Sequence, residues 1–180
     1  PKKYASLANA AESIPLEEFD TVSLFSGGLD SLIGAIALLT DGRKPLFVSH
    51  SWDAQASAAQ GRVTTQLKAH FAGHRYEILR APIGLRSKDL SSAGSDGNQR
   101  ARSFLFYAMA SLVADAASIK SVLIPENGLI ALNVPMEPFR LGSLSTRTAH
   151  PFFIECMEEL ASRLGLDIGF ANPYRFKTKG

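Results

Sequence analysis

The chain is short of several features that would place a protein quickly. Its 180 residues include one cysteine, Cys156, which excludes a disulfide framework and an internal cysteine zinc site. No apolar run approaches the roughly 20 residues that a membrane-spanning helix needs, and no signal peptide is visible. A large net charge is also missing. Nineteen Lys and Arg against seventeen Asp and Glu leave +2, with the signs interspersed. Binding to nucleic acid by bulk electrostatics is therefore not expected, although a local basic patch stays open. These absences point to the cytoplasm and to partners other than membrane. The sequence opens on Pro1 without a methionine and closes on Arg175-Phe-Lys-Thr-Lys-Gly180. Those ends predict a fragment of a longer protein, with domains missing on one or both sides.

What is present is enough for one core. At 46% hydrophobic, 180 residues can bury a single sizeable domain. Residues 1–20 read as a peripheral segment, in which Ile14-Pro15-Leu16 is placed to pack on the core edge. Residues 21–180 carry the pattern of the domain. Short apolar strands are predicted at 21–25, 45–49, 75–79, 122–124 and 167–171. Between them lie helical stretches. The first carries Leu32, Ile33, Ile36 and Leu39 at one-face spacing, and 55–71 carries Val63, Leu67 and Phe71. In 99–118 the apolar stripe is Leu105, Ala108, Met109, Leu112, Val113 and Ala116. Pro151 opens a last helix with Phe153, Met157, Leu160 and Leu164 on one side and Gly165 at its end. Ile83 to Asn98 reads as a long loop and Leu129 to Leu144 as an irregular excursion. Alternating strands and helices predict an α/β protein: a Rossmann-like, doubly wound parallel sheet of five strands in the order 3-2-1-4-5. In that order the loops 26–31, 49–53 and 125–128 converge on one crevice at the C-terminal ends of the strands.

The stretch that organises this crevice is Ser26-Gly27-Gly28-Leu29-Asp30-Ser31, set between the first strand and the first helix. Glycines let the backbone approach an anion, and amides at a helix start point at it. It is neither the G-x-G-x-x-G dinucleotide fingerprint nor the G-x-x-x-x-G-K-[ST] loop, because no lysine follows. Ser26 and Ser31 offer hydroxyls, and the backbone of Gly27, Gly28 and Leu29 can wrap phosphate. Asp30 would repel that phosphate unless a Mg²⁺ lies between them.

Four further clusters are candidates. Val48, Ser49 and His50 end the second strand, as a wall for adenine or simply as a core strand with a polar end; His50 reads as a satisfied polar residue before a proton carrier. Arg100, Arg102 and Ser103 open a helix, where cations are unfavourable unless an anion is present. They are either a solvated turn or, through Arg102, a contact to phosphate or carboxylate. Glu126, Asn127 and Gly128 follow the fourth strand, as a capped turn or as a site for Mg²⁺ or an amine. In Arg140 to His150, Arg147 and His150 are candidates to bind a substrate, with a surface loop and helix cap as the other reading. Arg175, Lys177 and Lys179 read as a solvated basic tail.

The six-residue turn is similar to the PP-loop of the N-type ATP pyrophosphatases, whose adenine nucleotide α-hydrolase-like fold places it between strand and helix. Together with Arg102-Ser-Phe-Leu-Phe106 and Glu126-Asn-Gly128, it resembles the 7-cyano-7-deazaguanine synthase family, QueC. The runs Pro125-Glu-Asn-Gly-Leu-Ile-Ala-Leu-Asn133 and Ser145-Thr-Arg-Thr-Ala-His-Pro151 look more like QueC-like proteins of bacterial anti-phage systems, of the QatC type. The resemblance covers roughly residues 20–175. It implies ATP and Mg²⁺ as cofactors, with the turn holding the pyrophosphate that leaves, and a ligase-like activation of a carboxylate as its adenylate, in queuosine-type deazaguanine chemistry or in antiviral defence. Ammonia or an amine would complete the reaction, and other defence proteins would be partners. Asp30 and Arg102 would be the catalytic pair, with Glu126, Asn127, Arg147 and His150 on the substrate. The synthases also carry a zinc in a C-terminal cysteine cluster, which this sequence lacks; zinc would require ligands outside residues 1–180. Two alternatives stay open. One is a tRNA sulfur-transfer enzyme with the same turn, which needs a catalytic cysteine, whereas Cys156 beside Met157 reads as packing. The other is a non-catalytic ATP-binding subunit of a defence complex.

Overall fold

Strands that are apolar on both faces must be covered on both, and the chain does this with helices. A computed structural model describes residues 14–50, 54–81, 100–132 and 149–178. In chain order these form β1 (Thr21–Leu24), α1 (Leu29–Thr40), β2 (Pro45–His50), α2 (Ala54–His70) and β3 (Glu77–Ala81). Then follow α3 (Arg100–Ala116), β4 (Ser121–Leu123), the one-turn α4 (Gly128–Ala131), α5 (Pro151–Arg163) and β5 (Gly169–Ala171). The five strands make one sheet in the order β3-β2-β1-β4-β5, as the alternation predicts. Every pairing is parallel: Val22 is registered with Leu46 on one side and with Val122 on the other. The fold is Rossmann-like α/β, with the order reversing at β1.

Each face has its own core. Phe25 and Phe47 point to one face, with ring centroids 5.5 Å apart, and meet Ala35 and Leu39 of α1 and Leu67 of α2. Val22, Leu24, Leu46 and Val48 point to the other face and meet Phe106 and Tyr107 of α3 and Met157 of α5. Two chain crossings on one face and two on the other follow from right-handed connections running first toward β3 and then toward β5. Ile14 and Leu16 pack against the edge of the larger core, as the sequence predicts.

Three helix faces differ from the periodicity argument. On α1, Ile33 and Ile36 are 45% and 41% exposed, and the buried positions are Ser31, Gly34, Ala35 and Leu39. The reason is close approach: a Cβ on Gly34 would stand 2.7 Å from Cβ of Pro125. On α3, Phe106, Tyr107, Ala110, Ser111 and Ala114 face inward, while Leu112 is 69% exposed. Met109 and Val113 lie at the border of that face, partly buried. On α5, Met157 and Ala161 are buried, and Leu160 and Leu164 are exposed. β3 begins two residues later than expected, and Arg75 before it pairs with Glu18 at 2.7 Å and covers the Phe19 ring.

The N-terminal ends of β1 and β2 are tied by Asp20. Its Oδ1 accepts from Thr21 Oγ1 at 2.7 Å, from the Lys44 amide at 3.2 Å and from Arg43 Nε at 3.2 Å. Burial by itself would raise this carboxyl, but the Thr21, Lys44 and Arg43 contacts outweigh it and hold its pKa below the ordinary value. A carboxylate favoured in the fold adds stability above its unfolded pKa and loses it as pH falls through the folded one. Wild-type stability to urea should therefore fall more steeply below about pH 4 than that of Asp20→Asn. Parallel curves would mean that these contacts do not favour the charged form.

Candidate functional site

The turn after β1 is held in shape by its own hydroxyls. Gly27 has φ +80°, a conformation that side chains disfavour, and it swings the chain from strand to helix. Ser31 Oγ accepts from the Gly27 amide at 3.1 Å and donates to the Gly28 carbonyl at 2.9 Å. Ser26 Oγ accepts from the Gly28 amide at 3.3 Å and lies 3.3 Å from Ser31 Oγ. Gly28 is the N-cap of α1, so Leu29 and Asp30 are its first residues. Helix starts leave amides unused by the helix itself, and the partial positive charge there suits an acidic side chain or a bound anion.

Asp30 connects this turn to the end of β4. Its Oδ2 accepts from Asn127 Nδ2 at 2.7 Å and lies 3.4 Å from the Asn127 amide. Asn127 is buried, and its Oδ1 also caps α4 by accepting from the Ile130 amide at 3.2 Å. One side chain thus orients a carboxylate and starts a helix. The same loop is braced from behind by the chain after β5. The Glu126 amide donates to Asn172 Oδ1 at 3.4 Å, and the Gly128 amide donates to the Lys177 carbonyl at 2.8 Å. Gly128 leaves no room for a Cβ beside the Arg175 carbonyl. The side chains of Arg175 and Lys177 are exposed and lie over the Phe176 and Tyr174 rings, so this tail acts through its backbone.

The turn is tied to β2 as well, through a residue that the sequence argument missed. Gln60 of α2 is completely buried. Its Nε2 donates to the Ser26 carbonyl at 3.1 Å and to the His50 carbonyl at 2.9 Å. A lone glutamine in a weakly amphipathic helix gives no sequence signal. Only the paths of β1 and β2 make it conspicuous.

The loops 26–31 and 125–128 and the end of β2 do converge, as the strand order predicts. Val48 is in the core, and its carbonyl accepts from the Phe25 amide at 2.8 Å. Ser49 is fully buried, and its hydroxyl has no hydrogen-bond partner among the described residues. His50 is also buried, with its ring edge-on to Phe106 at 5.5 Å. Arg102 lies over the same Phe106 ring, 5.8 Å from its centroid. α3 leads into a parallel strand, so its first turn, with Arg102 and Ser103, stands at the C-terminal edge of the sheet beside β2. Glu126 is half-buried at the end of β4.

His150 is the N-cap of α5, its Nδ1 accepting from the Phe152 amide at 3.2 Å, which is the helix-cap reading of that residue. Arg147, Lys179 and the loop residues 51–53 lie outside the described residues. Cys156 corrects an expectation: it is exposed on α5, because Met157 and Ala161 face inward and turn it outward.

Among the described residues, no three His, Cys, Asp or Glu side chains gather into a metal cluster. Asp30 therefore fits a Mg²⁺ only in the mode where one or two carboxylates and phosphate oxygens share the ion. No helix among the described residues is long and apolar enough to cross a membrane.

No protein-family model matches the chain, and no curated protein matches it. Among solved structures, it is similar to a predicted subunit of tRNA methyltransferase from Methanocaldococcus jannaschii. The match covers 90% of this chain and 70% of that one, at 16% identity and a TM-score of 0.48. A likeness that distant assigns no activity.

The Asp30–Asn127 link should be measurable. A double-mutant cycle of Asp30→Asn and Asn127→Ala should give a coupling of about 1 kcal/mol in urea denaturation. Additive losses would show that the two loops are held independently. Tyr107, beneath this crevice, supplies a second test. Burial first, then the charges of Glu126 and Glu158, push its phenol far above the ordinary range. A raised pKa gives stability that is complete below the unfolded value and lost as pH rises above it. Wild-type stability should therefore fall above about pH 10, and Tyr107→Phe should flatten that fall.

Proposed function

We propose that this chain is an ATP-dependent enzyme of the PP-loop kind, which adenylates a carboxylate and releases pyrophosphate. The observation that carries the reading is the Ser26–Ser31 turn at the reversal point of the sheet, with its acidic residue anchored across the crevice by Asn127. A phosphate-binding turn at the C-terminal edge beside the switch point is where doubly wound proteins hold nucleotides. The first amides of α1 hold the β- and γ-phosphates, which come close to the Gly27–Gly28 backbone, whose own amides bond Ser31 and Ser26. Ser26 and Ser31 orient that backbone. The base lies toward the end of β2, where a buried, unpartnered Ser49 hydroxyl suits a polar edge.

With the pyrophosphate end fixed in the turn, the α-phosphorus is the atom left open to attack. The nucleophile is a substrate carboxylate oxygen, and the bond that breaks is the one from the α-phosphorus to the bridging oxygen. Arg102 stabilises the charge that develops there. Asp30 would hold a Mg²⁺, which would supply charge neutralisation for the pyrophosphate that leaves. Glu126, Asn127, Arg147 and His150 belong to the substrate side of the crevice, although His150 and Asn127 also cap helices. Ammonia or an amine then displaces AMP. A deazaguanine-type acid and a role in anti-phage defence rest on the QueC-like and QatC-like sequence runs. Residues 21–180 form the ATP-binding domain in this reading.

The test is ATP–pyrophosphate exchange with the full-length protein and a panel of carboxylic acids that includes deazaguanine acids. Acid-dependent exchange is expected, and Asp30→Ala should lower it by at least about 100-fold, the scale on which removing one transition-state electrostatic group acts. Production of ADP and phosphate in place of AMP and pyrophosphate would overturn the adenylation reading.

A further inference from the structure

Gln60 is fully buried in α2, yet its carboxamide bonds strand ends rather than its own helix. Nε2 bridges the carbonyls of Ser26, just after β1, and His50, the last residue of β2. Arg80 of β3 donates through Nη2 to Gln60 Oε1 at 3.4 Å and to the Ser57 carbonyl at 3.0 Å. Three neighbouring strand ends thus meet on one carboxamide. The packing is equally close: a Cβ on Gly27 would stand 2.7 Å from Gln60 Cγ and 3.1 Å from its Cα. The turn rests directly on this residue.

The chemistry of the clamp is specific. Two carbonyl oxygens facing one group require two donors, and an approaching guanidinium requires an acceptor. A carboxamide supplies both. A glutamate would bring only acceptors to two carbonyls, and a methionine would fill the space with no donor.

We propose that Gln60 is a positioning residue that fixes the distance between the phosphate turn and the end of β2, and so matches the crevice to a nucleotide that spans the two. The assignment rests on the ATP-binding reading above. The turn has its own internal bonds through Ser26 and Ser31, so it keeps its shape without Gln60. What is lost is its placement relative to the base end. A ligand that occupies only one end is then indifferent to Gln60, whereas ATP, which joins both ends covalently, is not.

The experiment measures Kd by calorimetry for pyrophosphate, adenosine and ATP, each with Mg²⁺, on the full-length wild type, Gln60→Met and Arg80→Leu. Thermal melts accompany each variant. For Gln60→Met, pyrophosphate and adenosine should bind within about threefold of wild type, while ATP binding should weaken by about tenfold or more, because the gain from linking two ligands depends on the spacing of their sites. Arg80→Leu removes the Oε1 partner, together with the bond to the Ser57 carbonyl within α2, leaves both Nε2 bonds in place, and should give the same pattern at about threefold. It carries the test by itself if Gln60→Met does not fold. Equal weakening of pyrophosphate and ATP, or unchanged ATP binding in the folded variants, would overturn the positioning role. Failure of the wild type to bind ATP would instead overturn the ATP-binding reading on which it rests.

Discussion

The structure depends on β1 being paired on both sides. Val22 is in register with Leu46 and with Val122, so the first strand of the chain is the middle of the sheet. From there the chain winds outward on one face to β3, then crosses and winds outward on the other face to β5. A crevice must open where the two directions part, because the loops after β1 and β4 leave toward opposite faces. Everything proposed for function is attached to that parting point.

Polar side chains close the crevice to a definite shape. Asn127 holds Asp30 from the β4 side, and Gln60 holds Ser26 from the β2 side. Both are buried, and both bond backbone groups: Gln60 the Ser26 and His50 carbonyls, Asn127 the Ile130 amide. Buried amides with complete partners confer rigidity, and an incomplete set would be costly in the same low-dielectric setting. The turn is therefore fixed from two sides before any ligand arrives, which is the condition for an electrostatic site that need not reorganise. The chain after β5 adds a third brace, since Asn172 and the Lys177 carbonyl hold the Glu126–Gly128 loop in place.

The fold class, the strand order and the location of the turn were legible in the sequence. Short apolar runs alternating with helical periods allow few topologies once connections are right-handed. The inward faces of helices were less legible. α3 has the same spacing on two adjacent faces, one rich in Leu, Met and Val, the other built from Phe106, Tyr107, Ala110, Ser111 and Ala114. Hydropathy favours the first, but two aromatic rings between small residues fit closely on the sheet, with Tyr107 4.9 Å from the Phe170 ring. α1 shows the same conflict, since Gly34 rather than Ile33 meets Pro125. Periodicity counts apolar mass, whereas packing selects shape.

The Ser26-Gly-Gly-Leu-Asp-Ser31 turn lies on the sequence side of this division. Its glycines and hydroxyls act on their own immediate neighbours, so their roles follow from order along the chain. Gln60, Asn127 and Asn172 lie on the other side. Each meets its partner across 34, 97 or 46 residues of sequence, and a side chain whose partners are that remote acquires its role only when the strands are laid side by side.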